Sequence, residues 1–223
     1  MIISVNGNIG SGKSTLMDSI KEEFKHFHHI QEPVHKWIKL LENFYNDPSK
    51  WALPFQIKVL TSQMSSFHKY ENKICMVERD PITARYIFWE SLYRNKTITP
   101  EEYDVYNDLY KIRFFYQPEM VFYIKTTPEV CWERIQERSR SQESGIEFDY
   151  IKNLHLQHEE IYSQETFHNF YGLKSQLYII DGNKSAEEVR REIYSILEEF
   201  HNSISLFIGT TSSACGGSVV DGI

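Results

Sequence analysis

Residues Gly7-Asn8-Ile9-Gly10-Ser11-Gly12-Lys13-Ser14, followed by Thr15, fit the pattern Gly-x-x-x-x-Gly-Lys-Ser/Thr, a phosphate-binding P-loop. Glycines let the backbone turn its N–H groups inward around phosphate oxygens, and the N-terminus of a following helix adds partial positive charge. Lys13 is expected to reach the β- and γ-phosphates of a nucleotide, and the Ser14 hydroxyl to ligate Mg²⁺. A glycine-rich turn ahead of a helix could arise without binding anything. The flanks favour binding: Ile2-Ile3-Ser4-Val5 is a short β-rich run, and residues 14–20 open an amphipathic helix. Strand, loop and helix fall where the motif needs them.

Transfer of a phosphoryl group to a hydroxyl also needs a group that takes or orients the hydroxyl proton, and cations for the moving charge. Glu32, at a strand end closed by Pro33, is the best candidate base. The same carboxylate could instead serve a helix N-terminus. Arg79, within Glu78-Arg79-Asp80-Pro81, could hold Glu32, the acceptor hydroxyl or a phosphate, or form an ion pair with Glu78 or Asp80. Arg134, Arg138 and Arg140 lie at i, i+4 and i+6 where a helix enters a polar loop, residues 139–145. A lid closing over phosphates would present arginines this way, since guanidinium matches phosphate oxygens. A solvated face paired with Glu133 and Glu137 is the alternative. His155, His158 and Glu159 permit a zinc reading. No further ligand has suitable spacing, and a P-loop protein already has its metal.

These residues need elements to position them. Strands are expected at 2–5, 26–31, 73–77, 120–124 and 176–180. Helices are expected at about 14–25, 35–46, 49–70, 82–94, from 99, from 128, at 148–164 and at 186–200. Thr99-Pro100-Glu101-Glu102 carries a capping box with proline at the first helical position. Its helix bears an aromatic face of Tyr103, Tyr106, Tyr110 and Phe114, suited to core or interface. The alternation implies an α/β fold with a parallel sheet covered on both faces. Ligands in such sheets sit beyond the carboxyl ends of the strands. Gly7–Ser14, Glu32, Glu78-Arg79-Asp80 and Asp181-Gly182-Asn183 should therefore gather at one edge.

The totals narrow the partners. At 223 residues, 41% hydrophobic and 25% charged, the chain suits a single globular core. A net charge of −7 argues against a nucleic-acid polymer as partner. Cys75, Cys131 and Cys215 lie far apart, which suits a reducing compartment. Neither a signal peptide nor a membrane span is legible, so a cytoplasmic location without membrane contact is expected. The Ser/Thr/Gly-rich residues from 210 read as a flexible tail, with the domain at 1–203 and the tail at 204–223.

The P-loop, Glu32-Pro33-Val34 followed by Trp37, Phe55-Gln56, Glu78-Arg79 followed by Arg85-Tyr86-Ile87-Phe88, and the three arginines occur in one order. That order resembles the deoxyribonucleoside kinases of the deoxycytidine, deoxyguanosine and mitochondrial thymidine kinase type, including the broad-specificity insect enzyme. The resemblance covers residues 1–200 or so. It implies a P-loop nucleoside/nucleotide kinase-like fold with a five-stranded parallel sheet and an arginine-bearing lid. It also implies ATP and Mg²⁺, and a homodimer packed through helices near 82–94 and 99–116. Glu32 would take the proton of a deoxynucleoside 5′-hydroxyl, supported by Arg79. Gln56 would read the base edge between Trp37, Phe55 and Phe88. Tyr45 and Glu143 would bind the sugar 3′-hydroxyl, and Asp181-Gly182-Asn183 the ATP adenine.

Three departures matter. Asp80 stands where the family usually has serine, so either Glu78 or Asp80 could support Mg²⁺. Gln63 occupies a pocket position that varies between specificity classes, and would disfavour purines. The final residues have no counterpart. Ala84 lies where deoxycytidine-preferring relatives carry aspartate and thymidine-using relatives alanine, which implies a broad, pyrimidine-favouring enzyme. Two other readings compete. A nucleoside monophosphate kinase such as thymidylate kinase would need extra cations for the acceptor phosphate. A non-catalytic P-loop module would not need Gln56, Tyr45 and Glu143.

Overall fold

The computed structural model describes residues 1–69, 73–113, 117–140, 143 and 145–213, and the side chains of these other than 67–69, 113 and 201–213. The Phe67 side chain, Phe114, Cys215, part of the polar loop and the tail from 214 lie outside the described residues.

Five strands form one sheet in the order β2-β3-β1-β4-β5, every pair parallel. They are β1 (Ile2–Asn6), β2 (His28–Ile30), β3 (Cys75–Glu78), β4 (Met120–Lys125) and β5 (Gln176–Asp181). A central parallel strand is covered on both faces and so reads as a continuous apolar run. In β4 the alternation is direct. Met120, Phe122 and Ile124 pack with Met17 and Ile20 of α1 (Lys13–Lys21) and Ile193 and Leu197 of α10 (Ala186–Ser213). Val121 and Tyr123 face the other way, against Leu154, Ile161 and Tyr162. Burying such side chains contributes about 1.5–3 kcal/mol each, so the sheet register is held from both sides.

The remaining helices cover the other face of the sheet and the edge beyond its strand ends. After a 3₁₀ turn (Val34–Lys36) come α2 (Ile38–Asn46) and α3 (Pro48–Lys69), then α4 (Pro81–Thr83), a π-helical turn (Ala84–Trp89) and α5 (Glu90–Arg94). An uninterrupted helix over 82–94 was the sequence expectation. The wider π turn, a feature frequent at functional sites, sends Ile87 and Phe88 into one cluster and Trp89 into another. α6 (Pro100–Arg113), α7 (Pro128–Arg138), α8 (Phe148–Ile161) and α9 (Phe167–Tyr171) complete the chain order with α10 last. α9 has no clear sequence signature beyond Phe167 and Tyr171 four residues apart, both buried. The aromatic face of α6 is partly core: Tyr106 is fully buried and stacks on Trp89 at 4.4 Å. Val105, Leu109 and Ile112 of the same helix are exposed. The last helix runs past 200 to Ser213, into the stretch expected to be a flexible tail. No helix among the described residues is long and apolar enough to cross a membrane.

The capping box forms. Thr99 N–H donates to Glu102 Oε2 at 2.8 Å, and Glu102 N–H donates to Thr99 Oγ1 at 3.2 Å. Thr99→Ala removes one of these bonds and should destabilise the fold by about 1 kcal/mol. Calorimetry should then show a melting temperature lower by about 2–4 °C.

Candidate active site

β1 runs straight into the P-loop. The loop turns back at Gly10, where φ is +82° and an added Cβ would stand 2.4 Å from the Cys131 carbonyl oxygen of α7. Only glycine meets both conditions. Asn8 pins the loop to α8 by donating from Nδ2 to Ile151 O at 2.8 Å. Lys13 is buried, its Nζ donating to Asn8 O at 2.6 Å and to Ser11 Oγ at 3.3 Å. Burial pushes its pKa down to about 7, and Arg79 adds to the drop while Glu78 and Glu32 oppose it. An anion in the loop would restore the ammonium. Ser14 and Thr15 stand exposed at the start of α1.

Two strand ends face this loop. Glu78, the last residue of β3, accepts Ser14 Oγ–H on Oε1 at 2.5 Å and the Glu32 N–H on Oε2 at 3.4 Å. Arg79 Nη1 donates to both Glu32 oxygens, at 2.9 and 2.7 Å. Of the partners left open for Arg79, the structure therefore selects Glu32 over Glu78 or Asp80. The Arg79 guanidinium also lies 4.4 Å from the Phe88 ring centroid. Burial works against the Arg79 charge, but Glu32 and Glu78 more than offset it, so its pKa lies above the ordinary value.

Geometry distinguishes Glu78 from Asp80. Asp80 is fully buried and does not line the cavity. It accepts from Ser4 Oγ (2.5 Å), Asn6 Nδ2 (2.8 Å), Tyr171 OH (3.0 Å) and the Thr83 N–H (2.7 Å). Its oxygens are engaged in the core and in capping α4, whereas Glu78 and Ser14 together offer two oxygens to a cation, a donor set that suits Mg²⁺.

Lys13, Ser14, Glu32, Glu78 and Arg79 open on a cavity of about 540 Å³. The volume suits a small-molecule ligand. Trp37, Phe55, Phe88, Gln56 and Ala84 also line the cavity. Trp37 meets Phe55 edge-on at 6.4 Å, and Phe44 stacks on Phe55 at 5.3 Å. Tyr45 and Glu143 line the cavity too. Burial, then the neighbouring Tyr150 and Glu143, hold the Tyr45 pKa well above its ordinary value, so it stays a neutral hydroxyl. Tyr150 also lines the cavity, and burial raises its pKa to about 12. It belongs to no motif and sits on the first turn of α8, so nothing in the sequence singled it out.

The arginines divide. Arg138 makes a two-bond pair with Glu143 at 2.8 and 2.7 Å, and Arg140 lies 3.9 Å from the same carboxylate. Both line the cavity. Glu143, rather than Glu133 or Glu137, is their partner among the described residues. Arg134 instead donates to Gly182 O at 3.0 Å. Asp181, Gly182 and Asn183 do not line the cavity. Asn183 Oδ1 accepts from Thr127 N–H and Oγ1–H at 3.0 and 3.1 Å, which places the β5 turn beside the start of α7 and ties it through Arg134 to the P-loop side. The expectation for Gln63 is corrected. It does not line the cavity; its Nε2 donates to the Arg79 carbonyl at 2.9 Å, so it gives no reason for purines to be disfavoured. His158 is buried against Phe88 and Tyr123, and burial lowers its pKa to about 3. Glu159 accepts from Tyr123 OH and Lys125.

A P-loop at the carboxyl edge of a five-stranded parallel sheet, opening on a cavity with a carboxylate–guanidinium pair, defines a phosphotransferase of the P-loop kinase class. Comparison narrows the class. The deoxynucleoside kinase family profile matches residues 3–205, and the chain belongs to that family; it is a kinase that phosphorylates nucleosides. It is 36% identical over 201 residues to a putative kinase protein of Invertebrate iridescent virus 6, covering 89% of this chain and 97% of that one. It is 27% identical over 238 residues to deoxycytidine kinase 2 of Gallus gallus, covering 91% and 90%. A deoxyadenosine kinase structure from M. mycoides, with dCMP and dCDP bound, shares the fold with a TM-score of 0.78 at 23% identity, covering 89% of this chain and all of that one.

The β5 turn leaves no room for a side chain at 182. An added Cβ would stand 2.0 Å from Thr126 Oγ1 and 2.7 Å from Ile124 Cγ2. Gly182→Ala should lower stability by about 1–3 kcal/mol, read as a lower urea midpoint. Adding Thr126→Ala, which removes the nearer atom, should recover part of the loss.

Proposed function

We propose that the chain transfers the γ-phosphoryl group of ATP to the 5′-hydroxyl of a deoxyribonucleoside. The observation that carries the reading is the Glu32–Arg79 pair, which faces the same cavity as Lys13 and Ser14. In this reading the nucleoside base lies between Trp37, Phe55 and Phe88, with Gln56 on its edge. Tyr45 and Glu143 take the 3′-hydroxyl, and the 5′-oxygen points to Glu32. That oxygen forms a bond to the γ-phosphorus while the bond to the β–γ bridging oxygen breaks. The hydroxyl proton passes to the Glu32 carboxylate, which Arg79 keeps oriented. The backbone of residues 7–15 and the Lys13 ammonium cradle the phosphates. Ser14 and Glu78 would hold Mg²⁺, which neutralises phosphate charge when bound. Arg138 and Arg140 would leave Glu143 for the moving phosphoryl group, with Arg134 and Asp181-Gly182-Asn183 toward the ATP adenine.

The further assignments have separate supports. Exposed Val105, Leu109 and Ile112 on α6, with Tyr93 on α5, present an apolar face suited to a homodimer. A kinase unit over 1–203 agrees with the span of the family match. A cytoplasmic location fits Cys75 and Cys131, both buried and neither in a disulfide. For the base, the Gln56 amide carries donors and an acceptor and serves thymine or cytosine in two orientations. Ala84, on the cavity wall, leaves room for the thymine methyl group. The enzyme is accordingly read as broad, with thymidine and deoxycytidine both good substrates.

Glu32→Gln should lower kcat by roughly 10²–10⁴, with nucleoside affinity by calorimetry held within a few-fold. A near-normal kcat would remove Glu32 from the role of base. Base choice is tested by kcat/KM for the four deoxynucleosides with wild type and Ala84→Asp. Thymidine should be a good wild-type substrate and should fall by roughly 10–200-fold in the variant, the range a single pocket contact commands. Absence of thymidine phosphorylation by the wild type would sink the specificity reading, and full thymidine activity in Ala84→Asp would sink its cause.

A further inference from the structure

Arg79 has a backbone φ of +55°, in the left-handed region that side-chain-bearing residues rarely adopt. Such a conformation persists only where the surroundings over-determine it. Here the peptide group joining Arg79 to Asp80 is gripped at both ends. Its N–H donates to Asn6 Oδ1 of β1 at 3.1 Å. Its carbonyl oxygen accepts from Gln63 Nε2 of α3 at 2.9 Å. The Arg79 N–H itself donates to Val5 O at 3.0 Å, continuing the β1 ladder by one residue.

Gln63 is poorly explained as a packing residue. It is 6% exposed, and its Oε1 is buried without a partner among the described residues. An unmatched buried acceptor weakens a fold, so an apolar side chain of the same length would serve packing better. Among the described residues, the one bond the amide makes goes to the residue that holds Glu32. Gln63 also lies seven residues, about two helical turns, beyond Gln56 on the same helix. One rigid element thus lines the cavity and fixes the Arg79 backbone.

We propose that Gln63 is a positioning residue: by holding the Arg79 carbonyl it locks the left-handed turn that aims the guanidinium at Glu32, and it acts on turnover rather than on base choice. Without this grip the peptide can turn over, Arg79 relaxes to an ordinary φ, and its guanidinium leaves the carboxylate. The proposal rests on the reading that Arg79 supports Glu32.

The test is steady-state kinetics and thermal melting of Gln63→Met, Arg79→Lys and the double variant, with thymidine and deoxyadenosine as acceptors. Methionine keeps the length of the side chain and cannot donate to the carbonyl. Gln63→Met should lower kcat roughly ten- to hundredfold, the scale of a small misplacement at a reacting centre. KM should stay within about threefold for both nucleosides, as for an interaction felt only at turnover. The melting temperature should stay level or rise, and the double variant should be no slower than Arg79→Lys alone, because the two act as one unit. Gln63→Asn, which draws the amide back by one methylene, should show the same split and serves if Gln63→Met folds poorly. Unchanged kcat in both Gln63 variants beside a slow Arg79→Lys overturns the proposal alone. So does a base-dependent change in KM at constant kcat, or losses that multiply in the double variant. Wild-type kcat in Arg79→Lys overturns the underlying reading of Arg79, and the proposal with it.

Discussion

The site depends on one ion pair at the edge of the sheet. Glu32 and Arg79 have side chains only 12% and 13% exposed, and they meet at 2.7 Å. Neither charge is tolerable there alone: removing one partner of a buried pair typically costs about 3–5 kcal/mol, because the other is left uncompensated. The pair also spans two strand ends, since Glu32 follows β2 and Arg79 follows β3. It can form only because β2 and β3 are parallel neighbours, which brings their carboxyl ends side by side. Sheet topology and site chemistry are therefore a single constraint.

The electrostatics around the pair are those of a site prepared for anions. Lys13, Arg79 and Arg138 each have protein partners: the Asn8 carbonyl, Glu32 and Glu143 respectively. Buried cations at close quarters weaken one another, and the fall of Lys13 to about 7 registers this, with burial first and Arg79 second among its causes. Phosphate oxygens entering the loop would reverse both effects. With its pKa lowered to about 7, Lys13 gains its full charge near neutral pH only when an anion sits beside it.

Much of this was legible in the sequence, and the limits have physical causes. The P-loop could be read because its glycines answer a local demand for backbone shape. The strand at 120 could be read because a buried parallel strand is apolar throughout, and the strand at 176 because its run Leu177 to Ile180 is apolar although only Ile180 is buried at the sheet edge. Glu32 could be placed at a strand end because Pro33 stops a ladder. The π turn at Ala84–Trp89 could not be read, since it follows from how Ile87, Phe88 and Trp89 divide between clusters contributed by distant helices. Tyr150 and the route of the β5 turn were hidden for the same reason. Gln63 was misplaced because its position along α3 names only a helix face, and the carbonyl that accepts from its amide belongs to a turn sixteen residues further along the chain.

The uncertainty between Glu78 and Asp80 shows most clearly what a linear reading cannot supply. Two residues apart on a strand, their side chains would lie on the same face, and either could meet a cation beside Ser14. The left-handed turn at Arg79 ends that equivalence. It leaves Glu78 as the last strand residue, its carboxylate on Ser14, and rotates Asp80 under the sheet edge to cap α4 and bind Tyr171. The same turn aims Arg79 back toward Glu32. One strained residue thus separates two carboxylates, one lining the cavity and one in the core, and sets its own guanidinium facing the cavity. A residue's type announces neither role; the backbone angle of its neighbour assigns it.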